Sequence, residues 1–492
     1  MSLKTNKGSI YSVFFIVILA LTFLFCLMNH YEGQSWGDDF SLYLNQARSI
    51  IYGTVEITVY NNIYAVRNST VSTFSPESYP WGFPLLLSPF FYIFGIDFKF
   101  FKILEAIILI AFLFVFDRLL SNKLKNPERI ALISLIGLNQ VFILHTNDVL
   151  AEIPFLFFSA LTLYVIQQAS KTNFPTPLNI LIGSLMLFTF FIRSEGIALV
   201  GAFLLYQLFI IKQFSKIDFK SFMLFASPHL VFLFLYFLSK AIFPTGFTSH
   251  LEFLENFNIE TSLHHTDLIF KLLGIFLNEN INLINSILVI GFFLIGLVSR
   301  WREDFLFIAY WFIVLFVLFI WPYFYNRYMY SLIPLFCYFF ARGCGLVSVW
   351  LVGKNYSVYL LLLLAGLNLF SLVEKTAEHN NDIYITYGPA SADSKAMYDF
   401  IKNKVPQDEV VVFPFPRVIN FYTLRKSIFE YESADIIMEK GDWLVLFKNW
   451  NHNFQISNIS EITRHEGFEH VFENRLYIIY KIKKGPKLTI DA

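Results

Sequence analysis

Charge is scarce in this chain. Asp, Glu, Lys and Arg make up 15% of its residues, against about 25% in an ordinary soluble domain. Acidic and basic residues balance at 37 each, so there is no basic excess of the kind a nucleic-acid binder carries. Cysteine is nearly absent. Cys26, Cys337 and Cys344 all lie in apolar stretches, with no disulfide framework and no CxxC metal spacing. Also missing are an internal repeat, a low-complexity tract, a Walker motif, a GxGxxG after a strand, a GxSxG and an HExxH. What the chain does have is hydrophobicity. Hydrophobic residues reach 56% of 492, and 60 residues are Phe. That excludes disorder and leaves too few charges to cover a soluble globule. The composition fits a polytopic membrane protein.

A bilayer core about 30 Å thick takes roughly 20 apolar residues in helix. Candidate spans lie at 9–28, 98–118, 130–146, 153–168, 178–193, 196–211, 219–242, 281–299, 305–322, 329–348 and 357–373. The expectation is an α-helical polytopic membrane protein of about eleven transmembrane helices, with twelve or thirteen as rival counts. The first span has a basic start (Lys4, Lys7) and no small-residue cleavage site, so it reads as uncleaved with its start in the cytoplasm. Basic residues then collect in the inside loops, including Arg118, Lys123, Lys125, Arg129, Lys171, Lys212, Lys216, Lys220, Arg300, Arg302 and Lys354. Pro80–Gly95 is apolar but short and holds three prolines. It reads as a juxtamembrane helix, because making it a span would put the basic loop Arg118–Arg129 outside.

This topology sets residues 29–97, 243–280 and 374–492 outside. The expected division is a transmembrane domain over 1–373, whose first outer loop (29–97) carries juxtamembrane helices, and a small extracytoplasmic α/β domain over 374–492. In the latter, Ser391–Lys404 reads as a helix with Ala396, Phe400 and Ile401 on its apolar face. Val410–Phe413, Trp443–Phe447 and Leu476–Tyr480 read as strands.

Ionisable residues near membrane depth are costly and usually functional. Here Asp38, Asp39, Asp148, Glu152, Arg193, Glu195, Arg327 and Tyr328 all fall at outer ends of spans. Ser35–Gly53 has apolar residues Phe40, Leu44, Ala47 and Ile51 on one helical face, the pattern of an interfacial amphipathic helix. Ser35 and Asp38 fit a capping box, so Asp38 has a structural reading. Asp39, one turn before Tyr43, is either a first-turn acid favoured by the helix dipole or a carboxylate that takes a proton from a substrate hydroxyl. Asp148 and Glu152 are either a polar turn with a cap or a carboxylate pair for a sugar hydroxyl. Arg193 and Glu195 are either an ion pair across a tight turn or, for the arginine, a phosphate contact. Arg327 has no acidic sequence neighbour and is the stronger phosphate candidate. His264, His265 and Asp267 lack a ligand spacing with a mechanism behind it and read as a solvated loop.

In order and sidedness these residues resemble the GT-C superfamily of integral membrane glycosyltransferases. The branch they look most like includes protein O-mannosyltransferases and the aminoarabinose transferase of lipid A. The resemblance covers about residues 9–350. It aligns Tyr43 and Ala47-Arg48 so that Asp39 falls on the family's catalytic aspartate. It sets Tyr79–Leu85 on a proline-containing motif, Asp148 on an acid after the third span, and Arg327-Tyr328 before a late span. Some members carry a Lys or His just before the paired prolines, where this chain has Trp81-Gly82. The resemblance therefore leaves the donor-phosphate partner unassigned. It implies a sugar donor on polyprenyl phosphate, transfer with inversion to a lipid, glycan or protein acceptor hydroxyl at the outer face, and Asp39 as base. Asp38, Tyr43, Asp148, Glu152, Arg193, Glu195, Arg327 and Tyr328 would bind substrate. No cofactor is expected, and dependence on a divalent metal is left open. The competing readings are a lipid or glycan transporter or flippase, a non-catalytic scaffold, and another lipid transferase such as a glycan polymerase or ligase. Transporters tend to show paired repeats and mid-membrane ion sites, and neither pattern is present in the sequence.

Overall fold

The computed structural model describes residues 7–70, 76–211, 219–244, 257–277, 283–321, 325–378, 382–431, 433–448 and 466–483. The apolar stretches fall on helices. α1 is Lys7–Met28. After it come α2 (Asp39–Tyr52), α3 (Val55–Asn68), α4 (Gly82–Phe94) and α5 (Phe98–Leu119). The stretch 130–146 is two helices, α6 (Asn126–Gly137) and α7 (Gln140–His145). They separate at Asn139, which takes extended backbone geometry and caps α7 by accepting from the Val141 N–H at 2.9 Å. The Asn139 amide also donates to the Phe276 carbonyl at 2.9 Å, so the break is tied to a neighbouring helix. The bundle continues with α8 (Glu152–Lys171), α9 (Thr176–Ile192), α10 (Ile197–Ile211), α11 (Phe219–Lys240), α12 (Ile259–Leu277), α13 (Leu283–Ser299), α14 (Phe305–Ile320), α15 (Ile333–Val352) and α16 (Ser357–Ala377).

Among the described residues five helices are long and apolar enough to cross a membrane, namely those at 10–28, 152–171, 222–240, 333–352 and 357–377. Five more apolar helices are shorter. α5 has the length, at 22 residues, but Lys102 and Glu105 interrupt its apolar run. Residues 243–280, expected as a hydrophilic outer region, hold α12 instead. Ile269, Leu273 and Phe276 of α12 are buried in the bundle core, because its polar residues sit on one side and its apolar residues on the other. Glu252 and Glu255 lie outside the described residues, as do Lys212 and Lys216.

Two features show how the bundle closes. At the end opposite the site described below, buried charges tie helices together. Arg129 of α6 donates to Asp117 of α5 from Nε at 2.8 Å, and Tyr11 of α1 joins both. Asp304 accepts from Lys123, from Arg300 Nε at 3.0 Å and from the Tyr338 hydroxyl at 2.6 Å. Farther along, α13 and α15 cross backbone to backbone. A Cβ on Gly296 would collide with the Phe339 carbonyl oxygen, and one on Gly343 with that of Phe292. Helices buried in lipid gain from such close approach, because small residues let their backbones pack.

The C-terminal region adds α17 (Asp382–Tyr387), α18 (Ala392–Lys404), α19 (Pro416–Thr423) and α20 (Ala434–Lys440) to five strands. These are β1 (Val410–Val412), β2 (Lys426–Ile428), β3 (Trp443–Phe447), β4 (Phe468–Glu473) and β5 (Tyr477–Ile482), in sheet order β2-β1-β3-β5-β4. β1 runs parallel to β2 and β3, with α19 and α20 as the crossovers, while β3, β5 and β4 pair antiparallel. Ser391 caps α18. The buried face of α18 is Ser394, Met397, Tyr398 and Ile401. Of the three residues expected on this face Ile401 is buried on it, whereas Ala396 is exposed and Phe400 half-buried.

One side of this sheet shares a core with helices of the segment 29–97. Phe40 and Leu44 of α2 and Phe83 of α4 belong to the same buried cluster as Val411, Phe413, Ile419 and Phe421. The backbone N–H of Thr70 donates to the Phe429 carbonyl at 3.2 Å. α2 is therefore covered on both sides. Even Asn45 and Gln46 are buried, Asn45 on Asn420 and Gln46 on the Tyr79 backbone. The interfacial amphipathic helix expected at 35–53 is corrected on this point, because the C-terminal domain sits where solvent was assumed.

Gly296→Val should lower the melting temperature of the detergent-solubilised protein, since overpacking a close crossing costs about 1–3 kcal/mol. Gly291→Ala, which meets nothing within 4 Å, should leave it unchanged. Tryptophan-fluorescence melting of the two variants is the check, and equal curves would contradict the close crossing.

Candidate active site

Asp39 is the first residue of α2. The helix starts here and not at Ser35, because Asp38 already has helical backbone angles (φ −86°, ψ −21°) and its side chain makes no capping hydrogen bond. The expected Ser35/Asp38 capping box is not formed. The Asp38 carboxylate faces the backbone N–H groups of Arg417 and Val418 at the start of α19 instead. Tyr79 reaches Asp39 from the segment ahead of α4. That segment can pass close over the end of α9 only because residue 82 is glycine, where a Cβ would lie 2.6 Å from the Phe191 backbone.

The Asp39 carboxylate has two partners. Oδ1 accepts from the Tyr79 hydroxyl at 2.5 Å, and Oδ2 from Arg327 Nη2. The other edge of Arg327 faces Glu152, with Nε 3.4 Å from Oε1. Glu152 also binds Arg193, which in turn donates to Glu195 from Nη2 at 2.6 Å. The result is a run of alternating charge, Asp39–Arg327–Glu152–Arg193–Glu195. Tyr328 packs beneath it, its ring 5.1 Å from the Arg193 guanidinium carbon and 5.8 Å from that of Arg327. The Tyr43 ring stacks on Tyr79 with centroids 4.4 Å apart.

This run borders a cavity of about 200 Å³. Asp39, Tyr43, Glu152, Arg193, Glu195, Arg327 and Tyr328 all line it, with Tyr79. The rest of the lining is mostly apolar, with Leu150, Ile192, Ile197, Leu318, Ile320 and Trp321. Seven of the residues singled out from the sequence thus meet around one space. Asp38 and Asp148 do not line it. Asp148 is 38% exposed and lies beside His145 Nδ1 at 3.5 Å. His145 links it to the site, with Nε2 3.5 Å from Glu152 Oε2.

Burial works to raise Asp39, but Arg327, the Tyr79 hydroxyl and Arg417 outweigh it and hold the carboxyl below the usual carboxylate range. Asp38 goes the other way. Burial, with the Asp39 charge adding, pushes it up to about 7 despite Arg417. Neighbouring acids thus titrate apart, because Asp39 has Arg327 and the Tyr79 hydroxyl in addition to the arginine that both share. Tyr79 is raised well above its ordinary value by burial and then by Asp39, so its hydroxyl keeps its proton and donates it.

His145, Tyr79 and Arg417 were not among the residues singled out. His145 lies three residues before Asp148, and Tyr79 stands in the proline motif. Arg417 is 338 positions from Tyr79 and carries no local signal. Among the described residues, no group of three or more His, Cys, Asp or Glu side chains is arranged to hold a metal ion. His264, His265 and Asp267 lie on α12, where Asp267 pairs with Lys271 at 2.5 Å.

No family model matches the chain, and no curated protein does. Among solved structures it is similar to ArnT from Cupriavidus metallidurans bound to undecaprenyl phosphate. That similarity has a TM-score of 0.56 at 11% identity and covers 97% of this chain and 98% of that one. The apo state of the same protein gives 0.53 at 10% identity, covering 96% and 98%. At such low identity the likeness is one of fold.

Asp38 supplies a pH test. Its folded value lies above the unfolded one, so its contribution to stability is complete below about pH 4 and is lost as pH rises through about 7. The melting temperature in detergent should therefore fall between pH 5 and 8 more for wild type than for Asp38→Asn. Parallel curves would contradict the burial of the charge.

Proposed function

We propose that the chain is a membrane glycosyltransferase that moves a sugar from a polyprenyl-phosphate donor to an acceptor hydroxyl. The observation that carries this reading is the mixed lining of one cavity, where Asp39, Glu152 and two arginines meet a largely apolar remainder. A donor with an isoprenoid tail, a phosphate and a sugar has the same mixed character. The similarity of fold to a protein solved with undecaprenyl phosphate supports it. The eleven-span topology belongs to the proposal, as do the outer-face location of the site and the division of the chain at residues 373 and 374.

In this reading the donor phosphate takes over one edge of Arg327, and Arg193 is the second phosphate contact. A guanidinium meets phosphate oxygens with a matched pair of donors, which supplies the positive partner that the missing Lys or His would have given. Once Arg327 turns to the phosphate, Asp39 loses its strongest cation and becomes a better base. The acceptor O–H then attacks the anomeric carbon from the side opposite the phosphate. A C–O bond to the acceptor forms, the C–O bond to phosphate breaks, and its electron pair leaves with polyprenyl phosphate. The acceptor proton passes to Asp39, and the configuration inverts. The leaving group is already an anion stabilised by guanidinium, so it needs electrostatic help more than a proton. Glu152 holds both arginines in place, with Tyr43 and Tyr328 as aromatic walls for the sugar. Asp38 and Asp148, off the cavity, act through Asp39 and His145.

Asp39→Asn should lower transfer of label from radiolabelled polyprenyl-phosphate sugars into a cell-envelope extract by about 100-fold or more, the usual worth of a general base. Transfer at the wild-type rate would reject Asp39 as base. No consumption of any such donor by the wild type would reject the enzyme class.

A further inference from the structure

The C-terminal domain reaches the carboxylate on which the proposed reaction turns. Arg417, the second residue of α19, is 5% exposed. Its Nη1 is 3.2 Å from the Tyr79 hydroxyl and 4.0 Å from Asp39 Oδ1. The rest of the guanidinium is fixed. Nε donates to Asn62 Oδ1 at 2.9 Å and Nη2 to the Pro76 carbonyl at 3.1 Å. The Tyr79 ring lies 5.3 Å from the guanidinium carbon. Tyr79 thus accepts from Arg417 and donates to Asp39, a chain of two hydrogen bonds that starts in the C-terminal domain and ends in the cavity. Arg417 does not line that cavity, so it does not touch substrate there.

Burying a guanidinium costs desolvation that its hydrogen-bond partners must offset. Structural attachment of the two parts does not need this one. Apolar packing of α2 on α19 and the strand-end hydrogen bonds at Ser69 and Thr70 already join them. We infer that Arg417 is a positioning residue. It holds the Tyr79 hydroxyl and its own charge against Asp39, so docking of the C-terminal domain completes the site. The inference rests on the proposed role of Asp39.

Six groups face Asp39. Arg327 and Tyr328 come from the segment ahead of α15, Tyr79 from the segment ahead of α4, Tyr43 and Asp38 from α2 and its lead-in, and Arg417 from α19. Arg327 and Arg417 both favour the ionised carboxyl. Removing Arg417 leaves one of the two, so Asp39 should take up its proton at higher pH.

The test is the pH–rate profile of the full-length protein in nanodiscs. Arg417→Gln should move the acid limb of kcat to higher pH and lower kcat about 10-fold or more, with donor KM within about two-fold of wild type. Arg417→Lys should keep the limb near its wild-type position, because the charge stays. It should recover only part of kcat, because the fork is lost. In a Tyr79→Phe background Arg417→Lys should cost little more, since the hydroxyl it acts through is gone. An unmoved acid limb, or full additivity of the two changes, overturns the inference. If Arg417→Gln does not fold, the lysine and phenylalanine arms still decide. Wild-type protein that transfers no sugar counts against the proposed function alone. Carbodiimide labelling of Asp39 against pH, read by peptide mass spectrometry, follows the same midpoint without turnover. Arg417→Lys should leave that midpoint in place and Arg417→Gln should raise it, and equal midpoints in all three proteins overturn the inference.

Discussion

The site depends on a single guanidinium shared between two carboxylates. Arg327 binds Asp39 on one side and faces Glu152 on the other. Without it, two acids from α2 and α8 would confront each other across a mostly apolar cavity, where unpaired charge is expensive. With it, three parts of the chain distant in sequence are held in register: the start of α2, the start of α8 and the loop ahead of α15. The same sharing makes the pair easy to exchange. A guanidinium already divided between partners can pass to a phosphate without ever being left unpaired, which is what a site that alternates between empty and loaded requires.

The surrounding fold serves that geometry. At the far end of the bundle, Arg129 and the buried carboxylates Asp117 and Asp304, the latter with Lys123 and Arg300, tie helices together. Around the cavity, by contrast, the side chains of Asp39 and Arg327 stay 29% and 24% exposed. One end is fastened and the other is left accessible. Glycine at 82 lets the Tyr79 segment approach α9, and the C-terminal sheet presses on α2 from above. Asp39 is thereby aimed in part by the C-terminal domain, none of whose residues lines the cavity.

Much of this was legible in the sequence. The sorting of charge picked out Asp39, Glu152, Arg193, Glu195, Arg327 and Tyr328, which the fold brings to one cavity. It worked because a charge near an apolar stretch has few tolerable positions. The capping reading of Asp38 failed because a local motif cannot foresee α19 arriving from the C-terminal domain. The apolar face of α2 was read correctly, but the expectation that its other face meets solvent failed for the same reason. α12 was missed because its polar residues mask a buried face, and β2 and β4 because short or half-exposed strands alternate weakly. Arg417 left no signal at all, since its meaning depends on contacts with Tyr79 and Asn62 that only the fold creates.

The central claim is that a lipid phosphate competes with Asp39 for Arg327. The most direct measurement is the thermal stabilisation of purified protein by polyprenyl phosphate alone, without sugar or acceptor. The account predicts clear stabilisation of wild type, its loss in Arg327→Gln, and stabilisation at least as large in Asp39→Asn, where the guanidinium is released in advance. Undiminished stabilisation of Arg327→Gln, or its loss in Asp39→Asn, would contradict it.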